Sequence, residues 1–198
     1  ENKDMVFILK PSGVSSEDQM VSILKDELNS EIYPLHRLDK PVSGVMVYAK
    51  TKAAAAKISE KIAARTDFKK EYLAVVEGEL SEAEGTMEDL LFKDSSKNKS
   101  FVVKRERKGV KKAVLNYKVI KTAKYKGKKL SLVSVELKTG RSHQIRVQFA
   151  SRKHPLTGDK KYGSKIISPI GLFSYSVSTC GITIKKNPPE EFPWNLFL

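Results

Sequence analysis

The sequence has little of the chemistry that stabilises secreted proteins and none of the long apolar runs that cross membranes. Cys180 is the single cysteine among 198 residues, so no disulfide can form within the chain. The amino end lacks the charged and apolar regions of a signal sequence, and no apolar run approaches the roughly eighteen residues that span a bilayer. We therefore expect a cytoplasmic protein without a membrane partner.

Acidic residues are also few, with 23 Asp and Glu against 37 Lys and Arg and a formal net charge of +14. Most of this charge lies between Lys93 and Lys129, where 15 basic residues are opposed only by Asp94 and Glu106. Such a segment favours an anionic polymer as partner, because Lys and Arg that neutralise phosphates release condensed counterions. The alternative is a solvated basic face that serves only solubility. Membrane lipid is disfavoured, since the segment has no clear apolar helical face.

The spacing of apolar residues predicts more strands than helices. Strands are expected over 6–10, 45–49, 71–77, 113–119 and 130–137. Helical spacing predicts one helix from Ser15 and another after Thr51, and the polar stretch 93–100 is expected to be a loop. Residues 125–128 favour a hairpin turn between the last two strands. We therefore expect an α+β domain with a mainly antiparallel, mixed β-sheet core flanked by helices and loops.

Charged or aromatic residues are wedged between apolar or turn-forming ones at three places. The stretches are His36-Arg37-Leu38-Asp39, Lys70-Glu71-Tyr72-Leu73-Ala74 and Thr139-Gly140-Arg141-Ser142-His143-Gln144-Ile145-Arg146. Asp39 lies between Pro34 and Pro41, so we expect it in a loop that leads into a strand. Taken alone, an Asp in such a place is more often a turn former than a catalyst.

These stretches resemble the motifs of RluA-type pseudouridine synthases. The run His36-Arg37-Leu38-Asp39-Lys40-Pro41 with Ser43-Gly44 is similar to the signature loop of that family, in which the Asp is indispensable. Lys10-Pro11-Ser12-Gly13 looks like the amino-terminal element, Lys70-Glu71-Tyr72 like the tyrosine strand, and residues 139–146 like the third motif. His154-Pro155, Gly158-Asp159 and Tyr162-Gly163 continue the resemblance in order. It thus covers most of the chain.

The resemblance implies the pseudouridine synthase fold and an enzyme that isomerises uridines of ribosomal or transfer RNA. It assigns Asp39 as the catalytic carboxylate, Tyr72 as a flat surface against the uracil, and Arg146 as the cation that pairs with Asp39. Burial alone would neutralise an Asp, so an ionised Asp39 needs such a cation. A buried core residue is the alternative for Tyr72, and a surface position for Arg146. No cofactor is expected, because the isomerisation involves no redox change.

The resemblance and the basic segment together predict a set of RNA-binding residues. Since the target uridine must leave its stack, Arg37 is expected to fill the vacated space, or else to brace its loop. His36 and His143 belong to the predicted RNA-binding set, and we expect them to act as hydrogen-bonded scaffold residues rather than as proton shuttles. The remaining predicted contacts are Arg141, Gln144, Lys104, Arg105, Arg107, Lys111 and Lys112.

We expect residues 1–198 to form a single, monomeric catalytic domain. The family often carries an amino-terminal S4-like RNA-binding module, and none fits before Pro11. The three histidines are widely separated and form no compact ligand motif, so no metal is predicted. The chain departs from the family pattern at Leu9, Val42 and Gln148 and at Tyr175-Ser176, which leaves subfamily and substrate open.

Two other functions are compatible with parts of this pattern. One is a catalytically silent RNA-binding protein on the same fold, against which the joint presence of Asp39, Tyr72 and Arg146 argues. The other is an aspartate-dependent hydrolase of nucleosides or polysaccharides. Hydrolysis normally recruits a second acid or a metal, and no paired carboxylate lies near Asp39 in the sequence.

Overall fold

Strands dominate the computed structural model, which describes residues 1–64 and 66–198. Three α-helices occur among these residues: Gln19–Leu28 (α1), Lys52–Ala64 (α2) and Gln144–Ser151 (α3). The strands are Met5–Lys10 (β1), Tyr33–Pro34 (β2), Ser43–Ala49 (β3), Phe68–Glu77 (β4), Glu84–Asp94 (β5), Lys99–Val103 (β6), Val110–Tyr125 (β7), Lys128–Leu137 (β8), Leu172–Thr179 (β9) and Ile182–Lys185 (β10). Short 3-10 helices span Lys160–Tyr162 and Trp194–Leu196. None of the helices within the described ranges is long and apolar enough to span a bilayer.

The chain divides into two compact units, of which the first comprises residues 1–71 and 173–188. Its sheet has β3 between β1, which is antiparallel to it, and β9, which is parallel. β10 pairs with β9, and the two-residue strand β2 pairs with β3. Alternate residues of β3 pack against α2, since side chains point to opposite faces along a strand. The buried cluster that results contains Met5, Leu35, Val45, Val47, Ala49, Ala54, Ile58 and Val177.

The second unit comprises residues 72–172 and 189–198, and its strands lie in the order β4-β8-β7-β5-β6. The pairs β7/β8, β5/β7 and β5/β6 are antiparallel. β7 and β8 are joined by Lys126 and Gly127, whose φ angles of 48° and 77° suit the two-residue turn that matches the twist of a hairpin. Leu91 of β5 and Ala113 of β7 are buried with Val147 of α3. One face of this part of the sheet is thereby covered by α3.

The predicted α+β class with a mainly antiparallel, mixed sheet is confirmed, as are the expected strands and the 125–128 hairpin. The predicted start of the first helix at Ser15 is wrong. The hydroxyl of Ser15 bonds the Asp18 carboxylate at 2.9 Å and accepts the Asp18 N–H at 3.3 Å, and the helix begins only at Gln19. Such local bonds offer the backbone an alternative to helix.

The expected loop over 93–100 is also wrong in most of its length. It is a hairpin in which Asp94 pairs with Lys99, with only residues 95–98 in the turn. The prediction of a single catalytic domain over residues 1–198 stays a prediction.

Gly44 of β3 lies so close to β9 that no larger residue fits. Its φ is +126°, and a Cβ atom at this position would overlap the backbone of Ser174. We predict that Gly44→Ala lowers the free energy of unfolding in urea by at least about 3 kcal/mol, because neither backbone can yield. Gly181→Ala is the control: its φ is +73° with nothing within 4 Å of the added atom. This change should cost only about 1–2 kcal/mol for the left-handed conformation. Equal losses in the two variants would contradict the predicted close approach.

Candidate active site

Asp39 lies in the loop between β2 and β3, and the segment after β1 fixes that loop. The Gly13 N–H donates to the Lys40 carbonyl at 2.8 Å, and the Ser12 hydroxyl donates to the Pro41 carbonyl at 2.7 Å. Within the loop the Val42 N–H donates to the Asp39 carbonyl at 2.9 Å. The two motifs that the sequence separates by more than twenty residues are therefore one hydrogen-bonded structure.

A buried ammonium group stands beside Asp39. Lys10, at the end of β1, has no exposed surface, and its Nζ donates to the carbonyls of Pro11 and Val14 at 2.8 Å and of Lys40 at 3.3 Å. Burial lowers the pKa of Lys10 from 10.5 to about 8, and the negative charge of Asp39 partly opposes that fall. Lys10 is therefore still mostly protonated at pH 7. In the sequence Lys10 is recognisable only as part of a motif, and its position as a cation near Asp39 was not predicted.

His36 and Arg37 have different surroundings although they are adjacent. The His36 ring packs against Phe68 with centroids 5.3 Å apart, and its Nε2 accepts the Val47 N–H at 3.2 Å. Burial, with a smaller effect of the Lys70 charge, keeps the pKa of His36 well below its usual 6.5. This histidine is therefore neutral, with its proton assigned to Nδ1.

Arg37, in contrast, projects into solvent. Its guanidinium lies 3.3 Å from the Glu17 carboxylate, and both side chains are 53% exposed. An exposed ion pair of this kind contributes only about 0–1 kcal/mol. The Arg37 side chain can therefore leave Glu17 for another partner at little cost.

Tyr72 is a buried residue of β4 in the second unit, with only 5% of its surface exposed. Arg146 belongs to the same unit, whereas Asp39 belongs to the first. The sequence-predicted pairing of Asp39 with Arg146 stays a prediction.

Arg146 forms a buried ion pair that the sequence analysis did not foresee. Its Nε and Nη2 atoms donate to the two carboxylate oxygens of Asp159 at 2.7 and 2.8 Å, and the side chains are 6% and 1% exposed. The guanidinium carbon also lies 5.1 Å from the ring centroid of Tyr162. A guanidinium has five N–H donors, and the two bonds to Asp159 use two of them. Gly158-Asp159 was recognised in the sequence only as part of a motif.

The residues before Arg146 are held by hydrogen bonds within the motif. The Gln144 side chain accepts from the Thr139 hydroxyl at 2.8 Å and from the Arg141 N–H at 3.0 Å, and donates to the Val114 carbonyl at 3.1 Å. His143 has a left-handed φ of 53°, and its Nδ1 lies 2.9 Å from the Tyr162 hydroxyl. Gln144 and His143 are 3% and 8% exposed. Their side chains thus fix the start of α3.

Arg141 and the predicted basic residues lie at the surface of the second unit. The Arg141 Nε donates to the carbonyl of Lys112 at 2.9 Å, and Lys112 pairs with Glu88 at 2.6 Å. The other predicted basic residues are exposed in the β6–β7 connection and at the start of strand β7, namely Lys104, Arg105, Arg107 and Lys111. Among the described residues, no group of three or more His, Cys, Asp or Glu is arranged to hold a metal ion.

Comparisons with known proteins agree with the motifs. Residues 4–151 match the family described as RNA pseudouridylate synthase. The chain is 36% identical to an uncharacterized RNA pseudouridine synthase of Bacillus subtilis, over 89% of this chain and 61% of that protein. It is 35% identical to tRNA pseudouridine synthase C of Haemophilus ducreyi, over 81% of this chain and 71% of that protein. The chain thus spans about three fifths of the length of the Bacillus relative.

A solved structure, human RNA Pseudouridylate Synthase Domain Containing 1, superposes with a TM-score of 0.81 at 23% identity. The match covers 99% of this chain and 84% of the human one, which establishes the fold. The family match agrees with the curated relatives and with the sequence motifs. The chain belongs to the RNA pseudouridylate synthase family, and to its RluA type.

Proposed function

We propose that the chain is an RNA pseudouridine synthase that isomerises uridines of ribosomal or transfer RNA, with Asp39 as its catalytic carboxylate. The observation that carries the proposal is the Asp39 loop, which is tied to the Lys10–Gly13 segment and has a buried ammonium group near the carboxylate. A loop with an indispensable Asp needs such support, since catalytic groups must be held in one geometry. Relatives named tRNA pseudouridine synthase C support transfer RNA as one substrate class.

The reaction breaks the bond between C1′ of ribose and N1 of uracil, turns the base, and joins C1′ to C5. N1 gains a proton and C5 loses one, so atoms and electrons balance without a cofactor. Asp39 serves as nucleophile or as base, and either role requires its ionised form. The charge of Lys10 is near enough to the Asp39 carboxylate for the two to interact. Arg146 is proposed to supply the second cation.

The other proposed roles concern the uridine itself. Tyr72 offers its ring to the face of the uracil, and its hydroxyl takes part in removal of the C5 proton. The target nucleotide leaves its stack, and the exposed guanidinium of Arg37 fills the vacated space. We place the enzyme in the cytoplasm with its RNA and expect a monomer, which light scattering would test.

Substitution of the catalytic carboxylate is the first test. Asp39→Asn retains the shape of the side chain but neither its charge nor its nucleophilicity, so pseudouridine formation should fall by roughly a thousandfold or more. Tritium release from RNA labelled at C5 of uridine measures this loss, and RNA binding should be nearly unchanged. Substantial turnover by the variant would refute the role of Asp39. If the unsubstituted chain bound RNA without releasing tritium, it would be a catalytically silent RNA-binding protein. Free uracil among the products would indicate a hydrolase.

A second test removes the charge that holds Arg146. Asp159→Asn leaves a buried guanidinium without its carboxylate, so the free energy of unfolding should fall by about 3–5 kcal/mol. The exposed pair of Lys25 and Glu31 provides the control, and Glu31→Gln should cost no more than about 1 kcal/mol.

If Arg146 pairs with Asp39, the Asp159 variant should also lose turnover beyond what its lower stability explains. A loosened guanidinium no longer holds the Asp39 carboxylate in one geometry, so kcat should fall by at least about tenfold at a temperature where the variant is fully folded, with the Kd for RNA unchanged. A purely structural Asp159 would lower stability and leave kcat of the folded variant unchanged, which would argue against the proposed pair.

A third test concerns the basic surface. Lys104→Gln combined with Lys111→Gln removes two exposed charges, so RNA binding should weaken and the slope of log K against log salt should decrease by roughly one to two. The matched control is Lys52→Gln with Lys57→Gln, which removes two exposed charges from α2. An equal effect of both pairs on RNA affinity and salt slope would show that only total charge matters. If the first pair changed neither quantity, this surface would be a solvated face that does not bind RNA.

A further inference from the structure

The sheet of the second unit has an apolar face that α3 does not cover. Leu91 of β5 and Val102 of β6 pair in register and pack with Val147 on the covered side. Side chains alternate along a strand, so Phe92 and Phe101, which follow Leu91 and precede Val102, point to the opposite side. That outer face is formed by β5, β6 and β7.

Two aromatic rings lie on this outer face, one on β5 and one on the edge strand β6. Phe92 and Phe101 are directly opposite each other across the β5/β6 pair, where side chains are close enough to touch. Phe101 is 36% exposed, although a phenylalanine ring gains stability from burial. The apolar residues that share this face are Leu90, Val103 and Val110, which pair with one another or with Phe92.

A cation lies near each ring, although the Lys99 Nζ is closer to the ring centroid of Tyr162, at 5.0 Å, than to that of Phe101. The Arg107 guanidinium carbon lies 4.6 Å from the Phe92 centroid, and the Lys99 Nζ lies 5.6 Å from that of Phe101. Within residues 1–64 and 66–198, neither Arg107 nor Lys99 has a carboxylate at ion-pair distance. The exposed charges of Lys104 and Arg105 lie in the same β6–β7 connection. An exposed Phe101 ring near two cations without an ion pair favours a partner that combines flat apolar surfaces with regularly spaced negative charge.

We propose that the outer face of β5, β6 and β7 binds a single-stranded segment of the RNA substrate, with a base stacked on Phe101 and phosphates held by Lys99 and Arg107. Single-stranded RNA meets the requirements of this face, since every base has a π-face and every nucleotide a phosphate. An acidic protein would satisfy the cations and leave the rings unmatched. This site rests on the proposed function for its ligand class and is separate from Asp39.

The test separates stacking from charge. A fluorescently labelled single-stranded RNA of about a dozen nucleotides is titrated with the whole chain at several salt concentrations, and anisotropy gives the Kd. Phe101→Leu retains an apolar side chain but removes the ring, so affinity should fall by roughly fivefold to a hundredfold. The salt slope should not change, because a ring neutralises no phosphate.

Two controls accompany this variant. Phe101→Tyr keeps a ring and should restore binding to within about a factor of three of the original. Ile120→Ala removes an apolar side chain that is 54% exposed elsewhere on β7, and should leave Kd unchanged.

Wild-type affinity in Phe101→Leu would overturn the stacking site, whatever the catalytic activity. A changed salt slope in Phe101→Leu would also overturn it, since the ring would then act by positioning cations. Loss of binding with recovery in Phe101→Tyr supports the site. Because binding is measured without turnover, a failure of the catalytic proposal would appear separately, as absence of tritium release by a chain that binds RNA normally.

Discussion

The buried ammonium of Lys10 is the interaction on which the arrangement of the first unit depends. It gathers three carbonyls, two from the turn after β1 and one from the residue that follows Asp39. A compact charge on a flexible stem suits such a cage, whereas the planar fork of an arginine would not. The burial of this charge destabilises the fold below a pH of about 8, where Lys10 is protonated in both the folded and the unfolded chain. This loss of stability accompanies a buried ammonium group that orders the Asp39 loop and adds positive charge near the Asp39 carboxylate.

The second unit uses buried charge in a related way. Arg146 and Asp159 are both removed from solvent, and such a pair is stable only when its geometry is good and its charges are mutually compensated. The two parallel hydrogen bonds meet that requirement. Gln144 and His143 then fix the first turn of the same helix, so the guanidinium has little rotational freedom. Each unit thus contains one charged side chain that belongs to a sequence motif and is held in one orientation: Lys10 in the first unit and Arg146 in the second.

Much of this could be predicted from the sequence, and the omissions have physical causes. The strand pattern was readable because Val45 begins a short continuous apolar run and because apolar residues alternate around Val135. The Asp39 loop was readable because prolines flank it. The ion pair of Arg146 with Asp159 could not be predicted, because the rest of α3 and a loop lie between the two residues in the sequence. Local spacing does not report a tertiary contact of this kind. The short strand at Lys99–Val103 was missed because its residues, Lys-Ser-Phe-Val-Val, neither alternate cleanly nor form a long apolar run.

The position of β6 at the end of its sheet has a consequence for handling the protein. An edge strand presents backbone groups that another copy can use to extend the sheet. On β6 the Tyr162 hydroxyl already bonds both backbone groups of Ser100, but the apolar face beside the strand still favours association. The cations of this edge repel a second copy over about 10 Å at about 0.1 M ionic strength, a distance that shrinks to about 3 Å at about 1 M. Washing nucleic acid away with concentrated salt therefore also removes the repulsion that keeps the stripped molecules apart.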